Sequence, residues 1–157
     1  MAGEQPAGRR VAGAASARDA VGPDGVVPAP EYAIGATLEA PFDEVVATVR
    51  ARLKDEGFGV LCEIDVQATL RAKLGVERGR YLIIGACNPP LAHKAIQAEP
   101  DLGVFLPCNV IVYEDGPAVL VRAVDPRSML GAIENPVLDA VAGEVALRFT
   151  RVVESLG

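Results

Sequence analysis

The fold is decided by the stretch Tyr81-Leu82-Ile83-Ile84-Gly85-Ala86-Cys87-Asn88-Pro89-Pro90. Its first seven residues are apolar on both faces of a strand, which is typical of a central strand covered on both sides. Asn88 is a favoured N-cap residue and Pro89 a favoured first helical residue, so a helix is predicted to begin here. The helix should end near Ala98. The stretch therefore predicts a sheet strand that passes directly into a packed helix.

Working outward from this junction, strands and helices alternate before it, and a hairpin and two helices follow it. Apolar residues recur at strand or helix spacing between turn residues such as Gly57, Gly75 and Asp115-Gly116. The order βαβαβαββαα predicts one compact α/β (α+β) domain, with a mixed β-sheet of about five strands and helices packed on it. The last helix should begin at Asn135-Pro136 and bury one face, formed by Leu138, Val141, Val145, Phe149, Val152 and Leu156.

Residues 1–30 differ in composition from the rest of the chain. They contain 17 Ala, Gly or Pro residues and no Leu, Ile, Phe, Tyr or Trp. Such a segment buries too little apolar surface to offset the entropy of ordering. We therefore predict a disordered tail at residues 1–30 that folding does not require, and a folded domain at residues 31–157.

Charge and cysteine content exclude several classes of partner. The net charge of −6 belongs to residues 31–157, since the tail has three basic and three acidic residues. An acidic domain without a basic stripe is not expected to bind nucleic acid or an anionic membrane surface. No apolar run is long enough to cross a bilayer. Three cysteines without a secretory signal predict reduced thiols in a cytoplasmic protein.

Three motifs in order resemble the domain-of-unknown-function family 302 (DUF302). They are Phe58-Gly59-Val60-Leu61-Cys62-Glu63-Ile64-Asp65-Val66, then Leu82-Ile83-Ile84-Gly85-Ala86-Cys87-Asn88-Pro89-Pro90-Leu91-Ala92-His93, then Leu106-Pro107-Cys108-Asn109-Val110 with Val112-Tyr113-Glu114. The likeness covers roughly residues 31–155. It implies a small bacterial or archaeal protein with a compact α/β fold that associates with itself as a homodimer, and it implies no activity. Cys62 departs from the family pattern, in which Thr or Ser is expected.

Cys87 is the first candidate for a functional side chain. It ends the predicted central strand, and Asn88 places it just before a helix N-terminus. Ligands often bind α/β proteins where strands end, and the partial positive charge at a helix N-terminus favours a thiolate. The alternative is a small residue that fits a tight strand-to-helix turn.

Four further residues are candidates to share a site with Cys87 and Asn88. His93, the only histidine, lies on the polar side of the helix and is a candidate general base. Cys108-Asn109 repeats the Cys-Asn pair at another strand. Asp65 is a helix cap or a carboxylate in a cleft. These four belong with Cys87 and Asn88 to the predicted ligand site, if the fold brings them together.

The sequence leaves three functions open. The first is a small-molecule-binding or regulatory module, the second a thiol-dependent enzyme with Cys87 as nucleophile and His93 as base, and the third a purely structural dimer. Nucleotide, esterase and zinc-protease motifs are absent. A Cys87–Cys108 redox pair or a Cys87/His93/Cys108 metal site has no recognised ligand spacing. We therefore expect no metal and no cofactor.

Overall fold

The computed structural model describes residues 27–157, in which five strands and five α-helices follow the predicted order. The strands are β1 (Ala33–Leu38), β2 (Gly59–Asp65), β3 (Tyr81–Cys87), β4 (Cys108–Asp115) and β5 (Ala118–Val124). The helices are α1 (Phe42–Asp55), α2 (Val66–Leu74), α3 (Pro89–Ala98), α4 (Pro126–Leu130) and α5 (Pro136–Glu154). A 3-10 helix at Pro100–Phe105 adds one element that the sequence reading does not contain.

The five strands form one sheet in the order β1-β5-β4-β3-β2. All four strand pairs of the described sheet are antiparallel. The predicted fold class, an α/β domain with a five-stranded sheet and helices packed on it, is confirmed. The detail of a mixed sheet is corrected, because no pair in this sheet is parallel.

The connections explain why alternating strands and helices give antiparallel pairs here. A strand–helix–strand unit joins parallel neighbours when its helix packs across the sheet. α2 has nine residues and buries none of them, so the chain returns from β2 to its antiparallel neighbour β3. α1 instead connects the two edge strands, β1 and β2, which run in the same direction with three strands between them.

The hydrophobic core lies on one face of the sheet, between the strands and helices α1, α3 and α5. Every second residue of the central strands points into it, as the two-residue period of a strand requires. The strand residues in this core are Ile84, Ala86, Val110, Val112, Val119, Val121 and Ala123. The core is aliphatic apart from three phenylalanines, two of which, Phe58 and Phe149, stack with their ring centroids 4.6 Å apart.

The longest helix, α5, contributes the largest share of helical side chains to this core. Its predicted apolar face is confirmed from Leu138 to Val152, whose five members are buried, while Leu156 lies beyond the helix end and is half-buried. The predicted cap is also present, since Asn135 Oδ1 accepts a hydrogen bond from Val137 N at 3.0 Å.

Residues 27–30, which the sequence assigns to the tail, contact the sheet in the structure. The carbonyl oxygen of Val27 accepts hydrogen bonds from Arg122 Nη2 at 2.7 Å and from Thr37 Oγ1 at 3.3 Å. The carbonyl oxygen of Pro30 accepts one from Ala33 N at 2.8 Å. These four residues, here called the N-terminal strap, lie across β1 and β5. The rest of the predicted tail, residues 1–26, lies outside the described residues.

The strap contacts predict that two truncations differ in stability. A chain that begins at Val27 keeps every contact of the strap. A chain that begins at Glu31 leaves Arg122 without one of its carbonyl acceptors, and a lost hydrogen bond to a buried charged group costs about 1–3 kcal/mol. Urea unfolding should therefore give a lower free energy of unfolding for the second chain only. Equal values for the two would show that the strap does not stabilise the domain.

Candidate functional site

The strand-to-helix junction at Cys87-Asn88-Pro89 forms as predicted. Asn88 is 7% exposed, and its Oδ1 accepts a hydrogen bond from Leu91 N at 3.2 Å, which caps α3. Pro89 occupies the first helical turn. The side-chain nitrogen Nδ2 of Asn88 lies against Gly57. A Cβ added at Gly57 would come within 2.9 Å of this nitrogen. Packing and capping thus account for Asn88 as a structural residue.

Cys87 and Cys108 are brought together at this junction. Cys108 lies opposite Ala86, the neighbour of Cys87, in the β3–β4 register. Both cysteines line one small cavity of about 40 Å³. The cavity is otherwise lined almost entirely by apolar side chains from the helices, including Leu91, Leu102, Leu130, Val141 and Val145. Both thiols are free.

The electrostatics of this cavity disfavour thiolates. Burial raises the pKa of the Cys87 thiol. Burial, with a smaller contribution from the nearby Cys87, raises the pKa of the Cys108 thiol to about 11. Both groups are therefore protonated at neutral pH, whereas a nucleophilic cysteine needs a lowered pKa. Desolvation thus acts on both thiols in the direction opposite to the effect that the sequence predicts for the helix N-terminus.

The remaining predicted site residues lie elsewhere. His93 is exposed on α3 and does not line the cysteine cavity. Asn109 points to the opposite face of the sheet from Cys108, because the two are adjacent in one strand. Asp65 is exposed and caps α2, accepting a hydrogen bond from Ala68 N at 2.9 Å. The structure thus gathers Cys87, Asn88 and Cys108, and separates them from His93, Asn109 and Asp65.

A metal site at these residues finds no support in the described structure. Within residues 27–157, no group of three or more His, Cys, Asp or Glu side chains is arranged to hold a metal ion. Cys87 and Cys108 have only apolar neighbours and Asn88 around their cavity.

A larger cavity lies on the other face of the sheet. Within residues 27–157, no helix packs on this side of the sheet, which we call the open face. The prediction that the central strand β3 is covered on both sides is thereby corrected, because the helices of these residues cover one side only. It is formed by the strand residues that alternate with those of the core. Across β2, β3, β4 and β5, one row of directly paired residues reads Ile64, Ile83, Ile111 and Arg122. A second row reads Tyr81, Tyr113 and Leu120, in which the two tyrosine rings stack at 5.3 Å.

The strap converts part of this face into a pocket, here called the open-face pocket. Its volume is about 430 Å³. The floor is formed by β4, β5 and the first residue of β3, and the wall by the strap and Tyr32. The floor side chains include Tyr81, Asn109, Ile111, Tyr113, Arg122 and Val124.

Arg122 is the charged group of this pocket. Its side chain is 5% exposed and extends over Gly35, where any Cβ would collide with it. Nη1 donates to the carbonyl oxygens of Ala36 at 2.7 Å and Val121 at 2.9 Å. Burial lowers the pKa of Arg122, but a guanidinium keeps its proton in proteins. A buried positive charge therefore lies at the pocket floor.

The sequence reading missed Arg122, although a signal was available. It is the only charged residue in the apolar run Ala118–Val124. A lone charge in such a strand indicates either an edge position or a buried polar contact. Two of the three carbonyl partners of Arg122, Val27 and Ala36, are far away in sequence, so local pattern alone could not identify them.

Comparison with known proteins agrees with the three sequence motifs. The model of the family described as domain of unknown function DUF302 matches residues 34–156. The chain belongs to the DUF302 family. The predicted resemblance is confirmed.

A solved structure shares the fold of this DUF302 domain. It is the crystal structure of the uncharacterised conserved DUF302 protein from Bacillus stearothermophilus, with a TM-score of 0.76 and 24% sequence identity. The match covers 82% of this chain and 100% of that chain. A search of curated proteins found no match. None of these comparisons assigns an activity to the DUF302 domain.

A helix must be both long and apolar to span a membrane. Within the described residues, no helix is both long enough and apolar enough to cross a bilayer.

The cysteine environments predict an order of alkylation. Cys62 is exposed on β2, Cys87 is partly buried, and Cys108 has a thiol pKa of about 11. With iodoacetamide near pH 8, Cys62 should react fastest and Cys108 slowest, because the thiolate is the reacting species and must be accessible. Peptide mass spectrometry over time gives the three rates. Fastest reaction at Cys87, slowed by His93→Ala, would contradict this order and support a thiol enzyme.

Proposed function

We propose that this DUF302 domain is a small-molecule-binding module, and that the open-face pocket is its ligand site. The observation that carries the proposal is the pocket itself. At about 430 Å³ it falls within the range of about 300–1,000 Å³ that is usual for small-molecule sites. Its lining combines apolar side chains with a few polar groups, Arg122 and Asn109 among them, which is the usual composition of such sites.

The site that the sequence predicts, at Cys87-Asn88-Pro89, has weaker support. The cavity of about 40 Å³ beside it has room for only a few water molecules, since a cavity needs roughly 10–15 Å³ of such volume to hold one. Of the six predicted site residues, Asn109 alone lines the open-face pocket. The thiol-dependent enzyme is the second candidate, and its support is weaker still, because both junction thiols have raised pKa values.

We further propose that the domain is a homodimer and acts in the cytoplasm. Antiparallel sheets that face water usually carry polar residues on that side, whereas the β2 end of the open face carries Ile64, which is 47% exposed, next to Ile83. Leu61, at a β-bulge of the same strand, is 65% exposed. Exposed apolar patches of this kind mark interaction surfaces. The three free cysteines support a reducing compartment.

Blocking the pocket should abolish ligand binding. In Ile111→Trp, a larger side chain on the pocket floor fills part of the pocket volume. Binding is measured by ligand-observed NMR with a mixture of small organic acids, amides and alcohols. The binding signals that the wild-type chain gives should be lost in this variant. Leu147→Trp, on the exposed side of α5, is the matched control and should bind as the wild type does. Binding that is equal in all three chains, or absent from the wild type, would refute the proposed site.

A charge at the β2 end should separate the dimer. Ile64→Lys puts an ammonium into the proposed interface, and a buried unpaired charge costs several kcal/mol, on the order of the 3–5 kcal/mol seen for broken buried pairs. The molar mass from light scattering after size-exclusion chromatography should then fall from twice 16.4 kDa to 16.4 kDa. Leu74→Lys, at an exposed leucine of α2, should leave the dimer intact. A wild-type mass of 16.4 kDa would refute the dimer.

A further inference from the structure

Arg122 differs from the other arginines of the described residues in what surrounds its charge. Residues 27–157 contain nine arginines, and seven of them form ion pairs with carboxylates. Of the other two, Arg78 is exposed and lies over the Tyr81 ring at 4.5 Å. Arg122 is the buried one, and its partners within residues 27–157 are three carbonyl oxygens.

Carbonyl oxygens compensate a buried guanidinium only in part. Buried charges are normally paired with an opposite charge, because removing them from water is expensive. The three carbonyls accept from Nη1 and Nη2. Within residues 27–157, no carboxylate pairs with the guanidinium at the floor of the open-face pocket, and Nε makes no hydrogen bond to these residues.

The rest of the pocket is suited to an apolar group. Around Arg122 lie Ile111, Tyr113 and Val124 from the sheet and two prolines from the strap. An apolar wall keeps water away from a bound ligand. The positive charge then interacts more strongly with a single anionic group of the ligand than it would in water. Among the described residues that line the pocket, Arg122 is the only cation, so a multiply charged anion would find one counter-charge in the lining, in a domain whose net charge is negative.

We propose that the open-face pocket binds an organic monocarboxylate, whose carboxylate group is held by Arg122 and whose apolar part lies against Ile111, Tyr113 and Val124. This inference rests on the proposed small-molecule function and names its ligand class. A charge-assisted hydrogen bond is stronger than a neutral one, so the carboxylate competes with the Val27 carbonyl for Nη2. Binding then takes Nη2 from the Val27 carbonyl, while Pro28 and Pro30 of the strap remain in the pocket wall.

The test compares two probes of nearly the same size and shape, of which one is an anion and the other is neutral. Phenylacetate and phenylacetamide are titrated into the full-length, nitrogen-15-labelled protein, and amide chemical shifts are followed. Phenylacetate should bind at least about tenfold more tightly than phenylacetamide, as expected for a charged hydrogen bond. The shifts should include Ile111 and Arg122 in the sheet, and Val27 and Ala29 in the strap. Inorganic phosphate is titrated in parallel and should shift these signals less than phenylacetate does.

Arg122→Gln should reduce the preference for phenylacetate over phenylacetamide to about one, since the charge is gone. Arg52→Gln removes the same charge from an exposed site on α1 and should leave the preference unchanged. If Arg122→Gln does not fold, the ratio measured on the wild-type chain still decides.

Two failures can be told apart. Equal binding of phenylacetate and phenylacetamide in the pocket, or tighter binding of phosphate, overturns the ligand class and leaves the small-molecule function standing. If no probe shifts pocket residues at concentrations up to about 10 mM, where even a binding free energy near −4 kcal/mol would be detected, the ligand class and the proposed function both fail.

Discussion

The helices of residues 27–157 cover only one face of the sheet, and the proposed functional features depend on that arrangement. Helices α1, α3 and α5 bury the aliphatic side chains of the central strands, which satisfies the hydrophobic requirement of folding. The other face keeps Ile64, Ile83 and Ile111 in a row across three strands. An apolar row without a helical cover is available to a ligand, to a second subunit or to the chain itself. The N-terminal strap covers one end of it.

Arg122 connects the strap to the sheet. Its side chain crosses β1 at the one position where Gly35 leaves space, and it collects carbonyl oxygens from three separate parts of the chain. A charged group that is buried among carbonyls stabilises their arrangement, but it also retains the capacity to bind an anion. The same residue therefore holds the pocket wall in place and gives the pocket its charge.

Cys87 and Cys108, which the sequence indicates as candidate site residues, lie in surroundings that disfavour thiolates. Cys87 and Cys108 lie together, as the repeated Cys-Asn pairs suggested, but in an almost wholly apolar cavity that raises their pKa values. Asn88 caps α3, and its side chain packs against Gly57, where an added Cβ would come within 2.9 Å. The DUF302 motif at this junction thus describes a well-packed strand-to-helix turn. The open-face pocket with its buried Arg122 lies on the opposite side of the sheet.

The sequence by itself determined the order of the elements, the caps at Asp65, Asn88 and Asn135, the buried face of α5 and the family. These features depend on residues a few positions apart, so local patterns report them. Only the tertiary structure decided that every strand pair of the described sheet is antiparallel, that no helix of residues 27–157 covers its second face, and that Arg122 meets Val27 and Ala36. These depend on contacts between residues as many as 95 positions apart, and no local period carries that information.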